Sequence, residues 1–148
     1  MRAHAARLGT ELGVRRFTAG TRTAQDAARQ IGTGVERIVK SLVFRAGDET
    51  LVVLCSGASR VDEGKLAAAI GGATVRRATA EEAKAETGYA IGGVPPFAHA
   101  RPCRVLCDRG LLEFDEVWAA SGLPDAVFPI APSELVRLSG ATVADLTA

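Results

Sequence analysis

The chain has 148 residues, 47% of them hydrophobic and 24% charged, with 18 Lys+Arg against 17 Asp+Glu and a formal net charge of +1. That is the size and composition of a single globular domain spanning residues 1–148, and the near-neutral balance excludes a protein that coats long stretches of nucleic acid. No window approaches the ~18 consecutive apolar residues of a membrane span, and the first residues, MRAHAARLGTELG, carry arginines but no apolar leader, so a cytoplasmic protein without membrane contact is expected.

Charge is unevenly spread. Residues 1–45 hold nine Lys/Arg and three Asp/Glu, a local excess of +6 that fits either a solvated helix surface or a small basic face meeting a few phosphates. Ala5, Leu8 and Leu12 at helical spacing predict a short helix over Ala3–Leu12, ended by Gly13. Thr23, with Asp26 three residues on, predicts a capped helix whose small face, Ala24, Ala27, Ala28 and Ile31, ends at Gly32. Ile38–Phe44 and Leu51–Cys55 are aliphatic runs around a polar Gly-Asp turn, which predicts a β-hairpin whose second strand, apolar on both faces, is central. Asp62 predicts a helix through Leu66, Ala69 and Ile70 that stops at Gly71-Gly72, and Ala73–Val75 reads as a strand. Thr79 and Glu82 form a capping-box pattern for a helix ended by Gly88. Cys103–Cys107, Glu116–Ala120 and Ala126–Ile130 read as strands, the last two around a Ser-Gly-Leu-Pro-Asp turn. Pro132 opens a final helix before Gly140, and Thr142–Leu146 closes the chain. Hairpins interleaved with short helices predict an α+β domain with a mixed, mostly antiparallel sheet.

Few residues stand out as chemistry. Lys40 sits in a strand whose two faces, Ile38/Leu42/Phe44 and Val39/Ser41/Val43, are both largely apolar. An ammonium there needs an anionic or carbonyl-rich receiver, which makes Lys40 a candidate site residue; a lysine snorkelling from a strand end is the alternative. In Gly88–Phe97, Pro95 and Pro96 stiffen a glycine-rich loop, and the N–H groups of Gly92, Gly93 and Val94 are candidate oxyanion donors, against the alternative of a plain chain reversal. The loop lacks the GxGxxG and GxxxxGK[ST] spacings, which weakens a nucleotide-binding α/β reading. His99, Cys103 and Cys107 are spaced by four, but Pro102 breaks a helix there and a strand spreads them ~13 Å apart, so no metal site is expected; nor does the spacing mark a Ser/His/Asp triad. Three cysteines, an odd number with two of them in strand-like runs, predict buried thiols rather than disulfides. Asp108 and Ser121 lie at strand ends, and Trp118 and Tyr89 read as core or pocket wall.

Thr21-Arg-Thr-Ala24, Ile38-Val-Lys-Ser-Leu-Val-Phe44, Ser56-Gly57, Thr87-Gly-Tyr-Ala-Ile-Gly-Gly-Val-Pro-Pro96 and Gly140-Ala-Thr-Val-Ala-Asp145 together resemble the YbaK/prolyl-tRNA synthetase-associated domain family of aminoacyl-tRNA editing deacylases, over roughly residues 15 to 146. The resemblance implies a curved, barrel-like mixed sheet with surrounding short helices. It also implies hydrolysis, without a cofactor, of the ester joining a wrong amino acid to the acceptor end of a tRNA, usually one for proline. On it, Lys40 anchors substrate near the terminal adenosine, and the GxxxP loop Gly92–Pro96 surrounds the amino-acid carbonyl. Thr21, Arg22, Thr23, Ser56, Gly57, Pro95, Pro96, His99, Ser121 and Gly122 become the expected substrate-binding residues. The loop here is Gly-Gly-Val-Pro-Pro, where the cysteine-clearing branch has a Gly-Gly-Ile-Ser-Pro type; that departure counts against cysteine and leaves alanine, serine or threonine comparably open beside it as the amino acid removed. A prolyl-tRNA synthetase or another translation factor is an expected partner, with monomer and homodimer both open. The rival is a non-catalytic module that binds an aminoacyl-tRNA end or an amino acid.

Overall fold

The computed structural model describes residues 13–16, 23–122 and 126–148, so the expected helix over Ala3–Leu12 lies outside the described residues. The elements are β1 (Arg15–Arg16), α1 (Ala24–Ile31), β2 (Val39–Ala46), β3 (Glu49–Ser56), α2 (Glu63–Ala69), β4 (Arg76–Arg77), α3 (Ala80–Thr87), β5 (Arg104–Asp108), β6 (Val117–Ala120), β7 (Ala126–Ile130), α4 (Pro132–Ser139) and β8 (Thr142–Ala144). Two 3₁₀ turns, Val35–Arg37 and Arg109–Glu113, complete them.

The strands form two sheets, one of three strands in the order β1-β7-β6 and one of five in the order β4-β2-β3-β5-β8. Pairing is antiparallel except β3 with β5 and β5 with β8, and a parallel bridge from Ile38 to Trp118 joins the sheets without closing a barrel. The mixed α+β architecture is the expected one.

The hairpin β2–β3 turns through Gly47-Asp48, with Gly47 at φ 60°, and pairs Lys40 with Cys55 and Phe44 with Leu51. β3 is the central strand, buried from Thr50 to Ser56. Its Val52 and Leu54 join Val105, Val117, Phe128, Leu135 and Leu138 in one cluster, while Leu51 and Val53 join Phe44, Leu66, Leu106 and Leu146 in another across the sheet. This two-sided burial is why the run has no polar alternation. α1 lays Ala27 and Ala28 against Ile38, Trp118 and Val127, so its small residues permit a close approach.

Local signals placed the helix ends. Thr23 Oγ1 accepts from Asp26 N–H, Asp62 accepts from Lys65 N–H, and Thr79 with Glu82 forms the full capping box, each cap contributing ~1 kcal/mol. Gly32, Gly88 and Gly140 end their helices in the left-handed conformation. One strand is corrected: Ala73–Val75 is irregular, and the pairing falls on Arg76–Arg77, opposite Phe44 and Arg45. Gly71 and Gly72, both at positive φ, delay the chain's return to the sheet until Arg77 stacks on the Phe44 ring, 5.4 Å from its centroid.

Candidate active site

β4 covers β2 only at Phe44 and Arg45, leaving Val39–Val43 with an open edge. The Val43 carbonyl accepts from Ala78 N–H at 2.9 Å; in an antiparallel strand the alternation then turns the Ser41 backbone toward the same edge. A chamber of about 280 Å³ lies along it. Its walls come from β2, from Ala24 and Ala27 of α1, from Trp118 and Ala120 of β6, from Val127 of β7, and from Ile91, Gly92 and Val94 of the glycine-proline loop. The lining is mostly apolar, and among the described residues its ionisable members are Lys40 and Arg77. Ser41 Oγ is buried at this wall, with no hydrogen-bond partner among the described residues.

Lys40 points to the other face of the sheet, with Leu42 and Phe44, and its Nζ donates to the Ser59 carbonyl at 2.5 Å. No described carboxylate lies within 4.0 Å of it. A single carbonyl takes one of three ammonium protons and leaves two for a ligand. The Ser59 carbonyl is presented by the turn after β3, where Gly57 N–H donates to Ile38 O at 2.6 Å. Gly57 is required there because a Cβ would stand 2.7 Å from the Val35 carbonyl and 2.9 Å from the Ala24 methyl. Lys40, Leu42 and Arg77 are shared between the chamber and a second, open groove lined also by Gly57, Ser59, Arg60 and Glu63.

The glycine-proline loop runs from exposed Ile91 into a buried stretch, Gly93–Phe97, where Val94 packs on Val43 and Ala83. Gly93 N–H donates to Ala90 O at 3.0 Å and is therefore committed to the loop's own turn. Gly92, at φ 93°, and Val94 make no such bond, so two of the three expected donors keep their N–H groups.

The model of the aminoacyl-tRNA editing domain matches residues 18–138. This chain belongs to the aminoacyl-tRNA editing domain family. It is 32% identical over 140 residues to the uncharacterised protein YwhH of Bacillus subtilis (strain 168), covering 94% of this chain and 88% of that one. It is also 33% identical over 95 residues to the proline–tRNA ligase of Thermosipho africanus (strain TCF52B), which is 64% of this chain but only 17% of the ligase. A solved structure described as a candidate trans-editing enzyme for prolyl-tRNA synthetase superposes with a TM-score of 0.88 at 47% identity, covering 93% of this chain and 87% of that one.

The remaining expected residues of the editing domain divide. Thr23 and Gly57 line the chamber and the groove respectively; Thr21 and Arg22 lie outside the described residues. Ser56 lines neither space: its hydroxyl donates to Glu36 O at 2.8 Å and accepts from Ala58 N–H, fixing the turn that carries Ser59. Pro95 and Pro96 are buried behind the loop. His99 lies on the far side of them, and since a carbonyl only accepts, its Nε2 must carry the proton donated to Pro95 O at 2.8 Å. Ser121 donates to Ala126 O across the β6–β7 connection. Gly122, at φ 101°, lets the Tyr89 ring approach; a Cβ there would be 2.6 Å from it. These residues shape the site without touching its space.

Asp108 is buried and accepts from Leu146 N–H at 2.9 Å, Gly110 N–H at 3.2 Å and the Thr147 hydroxyl at 3.2 Å. Its work is to hold the C-terminal segment. The cysteines carry no disulfide, and burial pushes the Cys55 thiol up to about 11 and the Cys107 thiol up to about 12. Among the described residues no three metal-ligating side chains converge. No described helix is long and apolar enough to cross a membrane. Ser41, Ile91, Arg60 and Arg77 were not singled out from the sequence; an Arg-Arg pair following a β-branched residue was the available signal for the last of these.

Proposed function

We propose that this chain deacylates, in trans, a proline tRNA mischarged with alanine, cysteine or serine. The observation that carries this is Lys40 at the seam between an apolar chamber under the glycine-proline loop and an open cationic groove. An aminoacyl-tRNA end has that bipartite shape, a small side chain on one side of an ester and a nucleotide on the other. The apolar wall suits a small neutral side chain, and with Lys40 and Arg77 as its ionisable members it offers no partner to a cationic one.

Hydrolysis needs a nucleophile delivered to the ester carbonyl, stabilisation of the oxyanion, and a proton for the departing ribose oxygen. Water, or a ribose hydroxyl orienting it, attacks the carbonyl carbon; the bond to the ribose oxygen breaks, and that oxygen takes the proton. The N–H groups of Gly92 and Val94 receive the developing oxyanion, and the two unengaged protons of Lys40 hold the terminal ribose in place. An aminoacyl ester is activated enough for positioning and oxyanion stabilisation to carry the reaction.

The test is release of labelled amino acid from Ala-, Cys- and Ser-charged proline tRNA, with Pro-charged tRNA as control, by the wild type and Lys40→Ala. Selective release that depends on Lys40 supports the reading. That no described lining residue is a carboxylate, histidine or thiol favours a second reading, a module that binds the charged end without cutting it. Charged-tRNA binding with an unchanged ester half-life selects that one.

A further inference from the structure

The described basic side chains are mostly ion-paired: Arg29, Arg37, Arg45, Lys65, Arg76, Arg101, Arg104, Arg109 and Arg137 each have a carboxylate within 4.0 Å. Lys40, Arg60, Arg77 and Lys84 have none among the described residues, and the first three of these line one open groove of about 580 Å³. Glu63 is the single carboxylate among its lining residues. Arg60 lies in the turn after β3 and Arg77 in β4, so the two guanidinium groups come from elements on either side of Lys40. Both residues are exposed, and Arg77 is braced over the Phe44 ring.

Unpaired cations gathered in a polar groove, while cations elsewhere are neutralised locally, mark a site for an anion that comes from outside. Two planar guanidinium forks suit phosphate oxygens, which they can grip bidentately. We infer that Arg60 and Arg77 clamp the phosphodiester linkages of the single-stranded 3′ end of an RNA substrate in this groove, with Arg77 standing where the groove meets the chamber that takes the amino acid. This deepens the deacylase reading and rests on it for the identity of the RNA. It assigns the affinity for the nucleic acid to the groove arginines, of which Arg60 stands clear of the chamber and Arg77 borders both spaces.

The probe is an uncharged RNA hairpin with the acceptor stem of a proline tRNA and its CCA end, titrated with the full chain at several salt concentrations. Arg60→Gln and Arg77→Gln should each weaken binding ~5–10-fold and lower the slope of log affinity against log salt by about 0.7. Lys84→Gln removes the same charge from the exposed surface of α3 and should stay within about twofold. Arg77→Lys, which keeps the charge but not the fork, should recover part of the loss. Removing CCA from the hairpin should abolish the difference between the wild type and both Gln variants. Thermal melts confirm that each variant is folded. Affinities and salt slopes indifferent to both arginines, no binding by the wild type, or the same arginine dependence without CCA would overturn the inference. Arginine-dependent binding of the CCA end by a protein that releases no amino acid leaves the groove standing and removes the deacylase.

Discussion

Asp108 and Ser41 are both polar groups set into the five-stranded sheet, and they have opposite fates. The Asp108 carboxylate receives three donors, two of them from the C-terminal segment that it holds. The Ser41 hydroxyl, on the wall of the chamber, has no partner among the described residues, and neighbouring Lys40 has one described carbonyl for three protons. A polar group whose bonding capacity is met inside the fold is part of the fold. One held short of partners beside a cavity is held for something else.

The sharpest way to break this contrast is Lys40→Ala. We expect deacylation to fall ~10²–10³-fold, a loss of ~3–4 kcal/mol in transition-state stabilisation, with a thermal midpoint near that of the wild type. A melt that collapses along with the activity would place Lys40 with Asp108. Next is Asp108→Ala, which strands the buried Leu146 N–H and should cost ~2–4 kcal/mol in denaturant unfolding. Turnover per folded molecule should stay at the wild-type level. Smaller still is Ser41→Ala: removing an unpartnered hydroxyl should leave stability unchanged or raise it by up to ~1 kcal/mol, while kcat/KM falls several-fold. Loss of stability there would mean that the hydroxyl has a structural partner after all.

The smallest effect concerns pH. Cys55 and Cys107 are held as neutral thiols by burial, with folded values near 11 and 12 against an ordinary value of 9.0. A raised value means that the folded state keeps its protons longer than the unfolded chain. Their contribution is therefore full below pH ~9 and is lost as pH rises through the folded values. Unfolding midpoints should drop above pH 9. A thiol reagent at pH 8 should label half-buried Cys103 well before either of the other two.

Much of the fold was legible because its signals are local. The caps at Thr23, Asp62 and Thr79, the stop at Gly32 and the Gly47-Asp48 turn each depend on residues within four positions of one another. Lys40 and the Gly92–Pro96 loop were legible for a different reason, a lysine in an apolar strand and prolines after glycines being costly without a use. The parallel pairing of β5 with both β3 and β8 is a long-range choice that no window contains. The same holds for Arg60 and Arg77, ordinary surface arginines until the turn after β3 and the edge strand meet at Lys40. His99 had two readings, a substrate contact from the loop or a surface or supporting histidine, and the buried Pro95-Pro96 turn carries it to a separate pocket behind the wall.

The two arginines of β4 also decide what the sheet can join. One edge of the five-stranded sheet ends in this two-residue, doubly cationic strand and the other in the three-residue β8. Beyond β4 the same side of β2 stays open from Val39 to Val43, but there it forms the wall of the chamber, and like charges would meet if two β4 edges approached. Extending this sheet into a second copy would therefore set arginine against arginine at β4 or fill the chamber along Val39–Val43.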